Sequence, residues 1–188
     1  MKIYLFESIL MSIFLLAVTL LSSCEKKPKT EIPSDGRATF KINGIEMVTE
    51  LRAGVRDSKF GFAAEKYRMV EGSLSPWETL TISELQKKTD SVQRIFNRDT
   101  IASTYPDRAR HVGGYFGTPQ ADGDVTCDIF NVIEQDSVNN WVRINKQQDD
   151  FKKVWGSFSL HLYRTESCSS TMYPDTLLIT DGQFYFSL

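Results

Sequence analysis

The chain has 188 residues, 41% of them hydrophobic and 24% charged, with a formal net charge of -2. That length suits a single domain, and 12% aromatic residues exclude a disordered or low-complexity chain. A sequence pI near 5.7 offers no basic face, so no nucleic-acid partner is expected.

Residues 1–24 read MKIYLFESILMSIFLLAVTLLSSC. Ile9 to Leu21 is an apolar run of 13 residues. It matches the core of a secretory signal and is shorter than the ~20 residues a membrane-spanning helix needs. Leu21-Ser22-Ser23-Cys24 follows at once: an aliphatic residue, two small ones, then Cys. This is the pattern of a lipobox. Residues 1–23 are therefore expected to be a lipoprotein signal peptide. Cys24 is the expected site of lipid attachment, through its thiol and, after cleavage, through its amine, as in palmitate-bearing lipoproteins. Each buried methylene contributes ~0.8 kcal/mol, so two or three chains hold the protein to a membrane effectively permanently. The expected location is the cell envelope, as an outer-membrane lipoprotein facing the periplasm or the outside. Residues 24–36 hold the lipidated Cys and a polar, proline-containing tether.

Residues 37–188 read as one β-rich domain. Ala38 to Ile42 and Ile45 to Leu51 flank Asn43-Gly44, the strongest short hairpin signal. Lys59 to Met69 and Glu78 to Ser83 alternate as strands. Ser83-Glu84-Leu85-Gln86 fits a capping box, and Leu85, Val92, Ile95 and Phe96 fall at helical spacing. One short helix is therefore open here against a strand from Ser91 to Asn97. Gly114 to Thr118 and Asp124 to Ile133 flank a turn at Asp122-Gly123. From Val154 to Tyr163 the alternation is complete: Val154, Gly156, Phe158, Leu160 and Leu162 share one face, and Trp155, Ser157, Ser159, His161 and Tyr163 share the other. Trp141 to Asn145 alternates before it, with a polar hairpin between. Thr176 to Leu188 closes the chain, with Asp181-Gly182 as a tight turn or a bulge. Many short antiparallel strands imply an all-β fold. An antiparallel β-sandwich is expected, with a small lipocalin-like barrel as the alternative.

The mature chain resembles a group of Bacteroidota lipoproteins known only as a domain of unknown function. The residues that carry the resemblance are the lipobox at Cys24, Phe40-Lys-Ile-Asn43-Gly44, Leu80-Thr-Ile-Ser83, Asp122-Gly-Asp124-Val125, Gly156-Ser-Phe158 and Thr180-Asp-Gly182-Gln-Phe184. The resemblance implies a β-rich extracytoplasmic domain and a strand after a loop at Val92 to Asn97. It carries over no catalytic residue.

The residues offer little catalytic chemistry. There are two histidines, His111 and His161, and no Gly-x-Ser-x-Gly. No catalytic residue or cofactor is assigned. Asp122, Asp124 and Asp128 are a calcium candidate, but the spacing fails the EF-hand pattern and Asp122-Gly123 already explains a turn. Cys127 and Cys168 are a candidate disulfide closing 42 residues. By loop entropy such a bridge contributes roughly 4 kcal/mol; Cys127 also fits a small core residue. Trp141, Trp155, His161 and Tyr163, interleaved with Ser157 and Ser159, form a candidate binding face for a glycan or a protein, unless a second layer covers the rings. The expected function is a membrane-anchored, non-catalytic β-domain that binds or scaffolds. The alternative is an extracytoplasmic enzyme acting on glycans, which needs two carboxylates about 5–10 Å apart in a cleft.

Overall fold

The computed structural model describes residues 34–56, 58–70, 72–97, 111–119, 126–167 and 173–188. Ten strands follow in chain order: β1 Gly36–Ile42, β2 Ile45–Arg56, β3 Lys59–Val70, β4 Ser73–Leu85, β5 Val92–Asn97, β6 Val112–Pro119, β7 Thr126–Val132, β8 Trp141–Gln148, β9 Lys153–Glu166 and β10 Thr176–Ser187. The described residues contain no helix. At 83–97 the strand wins over the helical spacing. Leu85 ends β4, and Ile95 on β5 is fully buried between neighbouring strands. Tertiary pairing overrides a local spacing that fits both forms.

The expected sandwich is corrected to a barrel. The sheet runs β10-β1-β2-β3-β4-β6-β5-β8-β9, and β9 pairs with β10 to close a ring of nine strands. Alternation along each strand is the same in both architectures. What separates them is whether the last strand finds a partner. β10 does so on both edges, against β1 and β9. Closure removes the open edges that a sandwich keeps.

The ring has a seam. One edge of β6 lies on β4, but its other edge is shared. Val112 to Gly114 pair with β5 in parallel, and Tyr115 to Pro119 pair with β7 antiparallel. β9 divides in the same way, with Lys153 to Ser159 on β8 and Leu162 to Glu166 on β7. One half of the barrel is thus closed by β5 and β8 side by side, and the other half by β7 alone.

The turns follow their chemistry. Asn43 and Gly44 have φ of 49° and 85°, the two positive angles of the expected hairpin turn, and Ile42 pairs with Ile45 across it. Asp181-Gly182 is a bulge within β10. The register shifts between Ile179 and Gly182 against β9, and between Thr39 and Lys41 against β1.

Phenylalanines fill the interior. Phe158 lies 5.8 Å from Phe40, 6.0 Å from Phe62 and 6.3 Å from Phe184, ring centre to ring centre. Phe184 stacks on Phe186 at 6.0 Å, and Phe60 meets Phe186 and Phe151 at one end. The apolar set of β9 points inward as expected, with Val154, Phe158, Leu160 and Leu162 all fully buried. Side chains can fill the interior of a small barrel of this kind, and here the described inward residues form one apolar cluster.

Candidate functional site

The end of the lumen nearest β7 is polar. Lys66 on β3 pairs with Glu78 on β4, and Thr118 on β6 pairs with Asp128 on β7. Glu78 and Asp128 are 4% and 1% exposed. Lys66 Nζ lies 3.7 Å from Glu78, and Arg164 Nε lies 4.0 Å from Asp128. Tyr173 packs edge-on against Phe116 and Phe130 and hydrogen-bonds Glu78. Burial, reinforced by that carboxylate, pushes the Tyr173 phenol well above its ordinary value. Arg164 donates to the Tyr173 carbonyl and pairs with Asp175 at 3.1 Å. Asp128 of the calcium candidate belongs to this network and faces a guanidinium. Asp122 and Asp124 lie outside the described residues. Among the described residues no three acidic, His or Cys side chains gather as metal ligands.

The four residues of the candidate binding face all lie on the outer wall, but they do not form one cluster. Trp155 stacks on Tyr185 at 4.9 Å, and Lys146 lies 5.1 Å over its ring. Trp155 and Tyr163 are eight residues apart on one strand, about 27 Å at ~3.4 Å per residue. Trp141, beside Ser159, falls between them. Trp141, Trp155 and His161 are half-buried, and Tyr163 is 40% exposed. The reading of Ser157 and Ser159 as polar groups open to a ligand is corrected. They are 8% and 7% exposed between larger neighbours. Ser157 Oγ donates to Asn145, and Ser159 Oγ donates to the Ile179 carbonyl.

The outer chemistry gathers at the seam. Between β7 and β8 the chain makes a short connection, residues 133–140, held by its own side chains. Asn140 is fully buried; its amide donates to the Ile133 carbonyl at 2.6 Å and its oxygen accepts from the His161 backbone at 2.7 Å. Asp136 Oδ2 lies 2.6 Å from His161 Nδ1 and accepts from the Asn139 amide at 2.9 Å. The Asn139 amide and then His161 hold the Asp136 carboxyl below the usual range. Arg94 on β5 donates to the Glu134 carbonyl at 2.6 Å while its guanidinium lies 5.0 Å from the Phe96 ring. Glu134 accepts from the Asn97 backbone at 3.2 Å.

These contacts frame an open groove of ≈ 400 Å³ lined by Asn97, Val132, Ile133, Glu134, Gln135 and Tyr163. Ile133 and the Tyr163 ring are its accessible apolar groups, and Glu134 and Gln135 its polar ones. Of the expected face, Tyr163 lines the groove and His161 supports its wall through Asp136. Asn97, Glu134, Gln135 and Asp136 were not foreseen. Glu134, Gln135 and Asp136 leave a trace in the sequence as part of a polar, turn-forming run, Glu134 to Asn140, between two strands. A second groove, ≈ 270 Å³, lies at the other end of the barrel, where Lys59 and Glu84 pair at 3.2 Å.

Cys127 is disulfide-bonded. Cys24 and Cys168 lie outside the described residues, as does the signal segment. No family model matches the chain, and neither a curated protein nor a solved structure matches it.

Proposed function

We propose that the protein is a lipid-anchored envelope protein whose β-barrel is a non-catalytic binding module, with recognition at the seam on its outer wall. The lipobox at Cys24, and the resemblance to Bacteroidota lipoproteins, support anchoring in the outer membrane. The observation that carries the binding reading is the contrast between a Phe-filled lumen and an open groove rimmed by Tyr163, Glu134 and Gln135. Binding sites combine an apolar surface with a few placed polar groups, and the groove has that composition and a size within their usual range. An enzyme acting on glycans needs two carboxylates flanking an open cleft. Glu78 and Asp128 are buried and faced by Lys66 and Arg164, and Tyr173 hydrogen-bonds Glu78, which favours the binding reading.

The test has two arms. Metabolic labelling with an alkyne fatty acid should mark the wild type and not Cys24→Ala; equal labelling would refute the anchor. A photo-crosslinking residue placed at Tyr163 should capture an envelope component in living cells. The same residue at Ile45, 70% exposed on the far side of the hairpin turn, should not. Equal capture at both positions, or none at Tyr163, would refute the seam as the recognition surface.

A further inference from the structure

We infer that the seam groove binds a single neutral pyranose unit of a longer glycan; this rests on the reading of the seam as the recognition surface. Four observations point to that ligand class. The first is the lining. Half-buried Ile133 supplies an apolar floor, and the exposed Tyr163 ring stands beside it, while the Val132 side chain belongs to the core. A pyranose has one apolar C–H face and a rim of hydroxyls, so it needs a flat apolar surface and peripheral polar groups together. An aromatic side chain with an apolar body and a polar tip offers both.

The second is hydrogen-bonding capacity. Among the described residues neither the Tyr163 hydroxyl nor the Gln135 amide makes a side-chain hydrogen bond, and only one Glu134 oxygen is used, by the Asn97 backbone. The groove thus presents a hydroxyl, an amide with both donor and acceptor, and a spare carboxylate oxygen. A carboxylate accepts from hydroxyls, and an amide pairs with vicinal ones.

The third is charge. Glu134 and Asp136 are negative, and Arg94 and His161 are their nearby positive or titratable counterparts. Arg94 is committed to a backbone carbonyl and to the Phe96 face, and His161 is committed to Asp136. Among the described residues that line the groove none is a cation. A carboxylate at its rim repels such groups, so the fit is to neutral sugars.

The fourth is rigidity. Buried Asn140 and the Asp136–His161 pair fix the wall that carries Glu134 and Gln135. A site whose polar groups are already held in place loses less freedom on binding.

The experiment uses the full lipidated chain in nanodiscs. It is titrated calorimetrically with neutral gluco-, manno- and N-acetylglucosamine oligosaccharides and with a polyuronate. At least one neutral series should bind and the polyuronate should not. Tyr163→Ala should weaken that binding at least tenfold and Gln135→Ala severalfold, while Trp155→Ala leaves it unchanged. Tyr163 is exposed, so its variant should keep the wild-type circular dichroism. Absence of binding by every neutral series, or equal binding of the polyuronate, would overturn the sugar assignment. Loss of binding in Trp155→Ala but not in Tyr163→Ala would overturn the location. If no sugar binds and crosslinking at Tyr163 still captures a protein, the sugar assignment fails and the seam reading stands. If both fail, the seam reading falls with it.

Discussion

Gly156 tests the barrel packing most directly. It lies inward on β9, opposite Phe184 on β10. A Cβ placed on it would sit 2.1 Å from Phe184 Cζ and 2.4 Å from the Arg143 carbonyl oxygen. The ring could turn aside, but the carbonyl belongs to β8 and moves only with the strand. Gly156→Ala therefore forces a backbone shift where β9 lies between β8 and β10. Overpacking of this kind costs typically ~1–3 kcal/mol, and a backbone contact puts it at the upper end, about 3 kcal/mol. A domain of roughly 150 residues loses ~2–4 °C of Tm per kcal/mol, so the expected fall is ~6–12 °C. Gly54 is the internal control. A Cβ there meets nothing within 4 Å, so Gly54→Ala should be neutral or stabilise by up to ~1 kcal/mol through the unfolded chain. Differential scanning calorimetry of the two variants decides the matter. A Gly156→Ala Tm within 1–2 °C of wild type, a span below the ~2–4 °C expected per kcal/mol, would mean that Phe184 does not cover this position and that the β9–β10 register is wrong.

Other predictions follow from the same contacts. Phe158→Ala, which removes the ring between Phe40, Phe62 and Phe184, should cost about 3–5 kcal/mol in urea unfolding, while Ser157→Ala should cost only ~1 kcal/mol through its bond to Asn145; the reverse order would refute the inward parity of β9. Burial and the Glu65 carboxylate raise the Tyr67 phenol to about 12. The folded state thus holds that proton more tightly than the unfolded chain, so Tyr67 contributes stability that is complete below pH ~10 and lost as pH rises toward 12. Ultraviolet titration of wild type and Tyr67→Phe should show the difference as a late-titrating phenolate, and a phenolate near pH 10 would count against it. Peptide mapping without reductant should recover Cys127 joined to Cys168, because Ile129 pairs with Glu166 in an antiparallel ladder, Cys127 comes two residues before Ile129 and Cys168 two residues after Glu166. A free Cys168 would refute that pairing.

Much of the fold was legible because its causes are local. The alternation from Val154 to Tyr163 fixed which face of β9 is inside, and Asn43-Gly44 fixed the first hairpin with its two positive φ values. Ring closure was not legible. It depends on β9 and β10 meeting, and on β5 finding β6 in parallel, and neither leaves a mark in the alternation of either strand. The candidate face was read in part. Parity placed Trp141, Trp155, His161 and Tyr163 on the outside, but it is blind to distance along the strand and to neighbours on adjacent strands. Ser157 looked solvent-facing by parity, yet Arg143 and Gln183 flank it on the two adjoining strands. The groove residues escaped because Asn97 and Glu134 come together only through the seam.

The divided closure of the ring also bears on how the protein moves. β5 has six residues and is held by two three-residue ladders, Val92 to Arg94 on β8 and Ile95 to Asn97 on β6, on opposite edges. Its parallel ladder joins segments that no hairpin brings together, so it gains nothing from a neighbouring turn. Short ladders of this kind are where local opening is cheapest. Amide protons of β5 should therefore exchange with solvent well before those of β9 and β10, which are paired along nearly their whole length. Since Asn97 and the Arg94 clasp on Glu134 ride on β5, each such opening also dismantles one wall of the groove. Occupancy of the groove and slow exchange of β5 are then two readings of a single equilibrium.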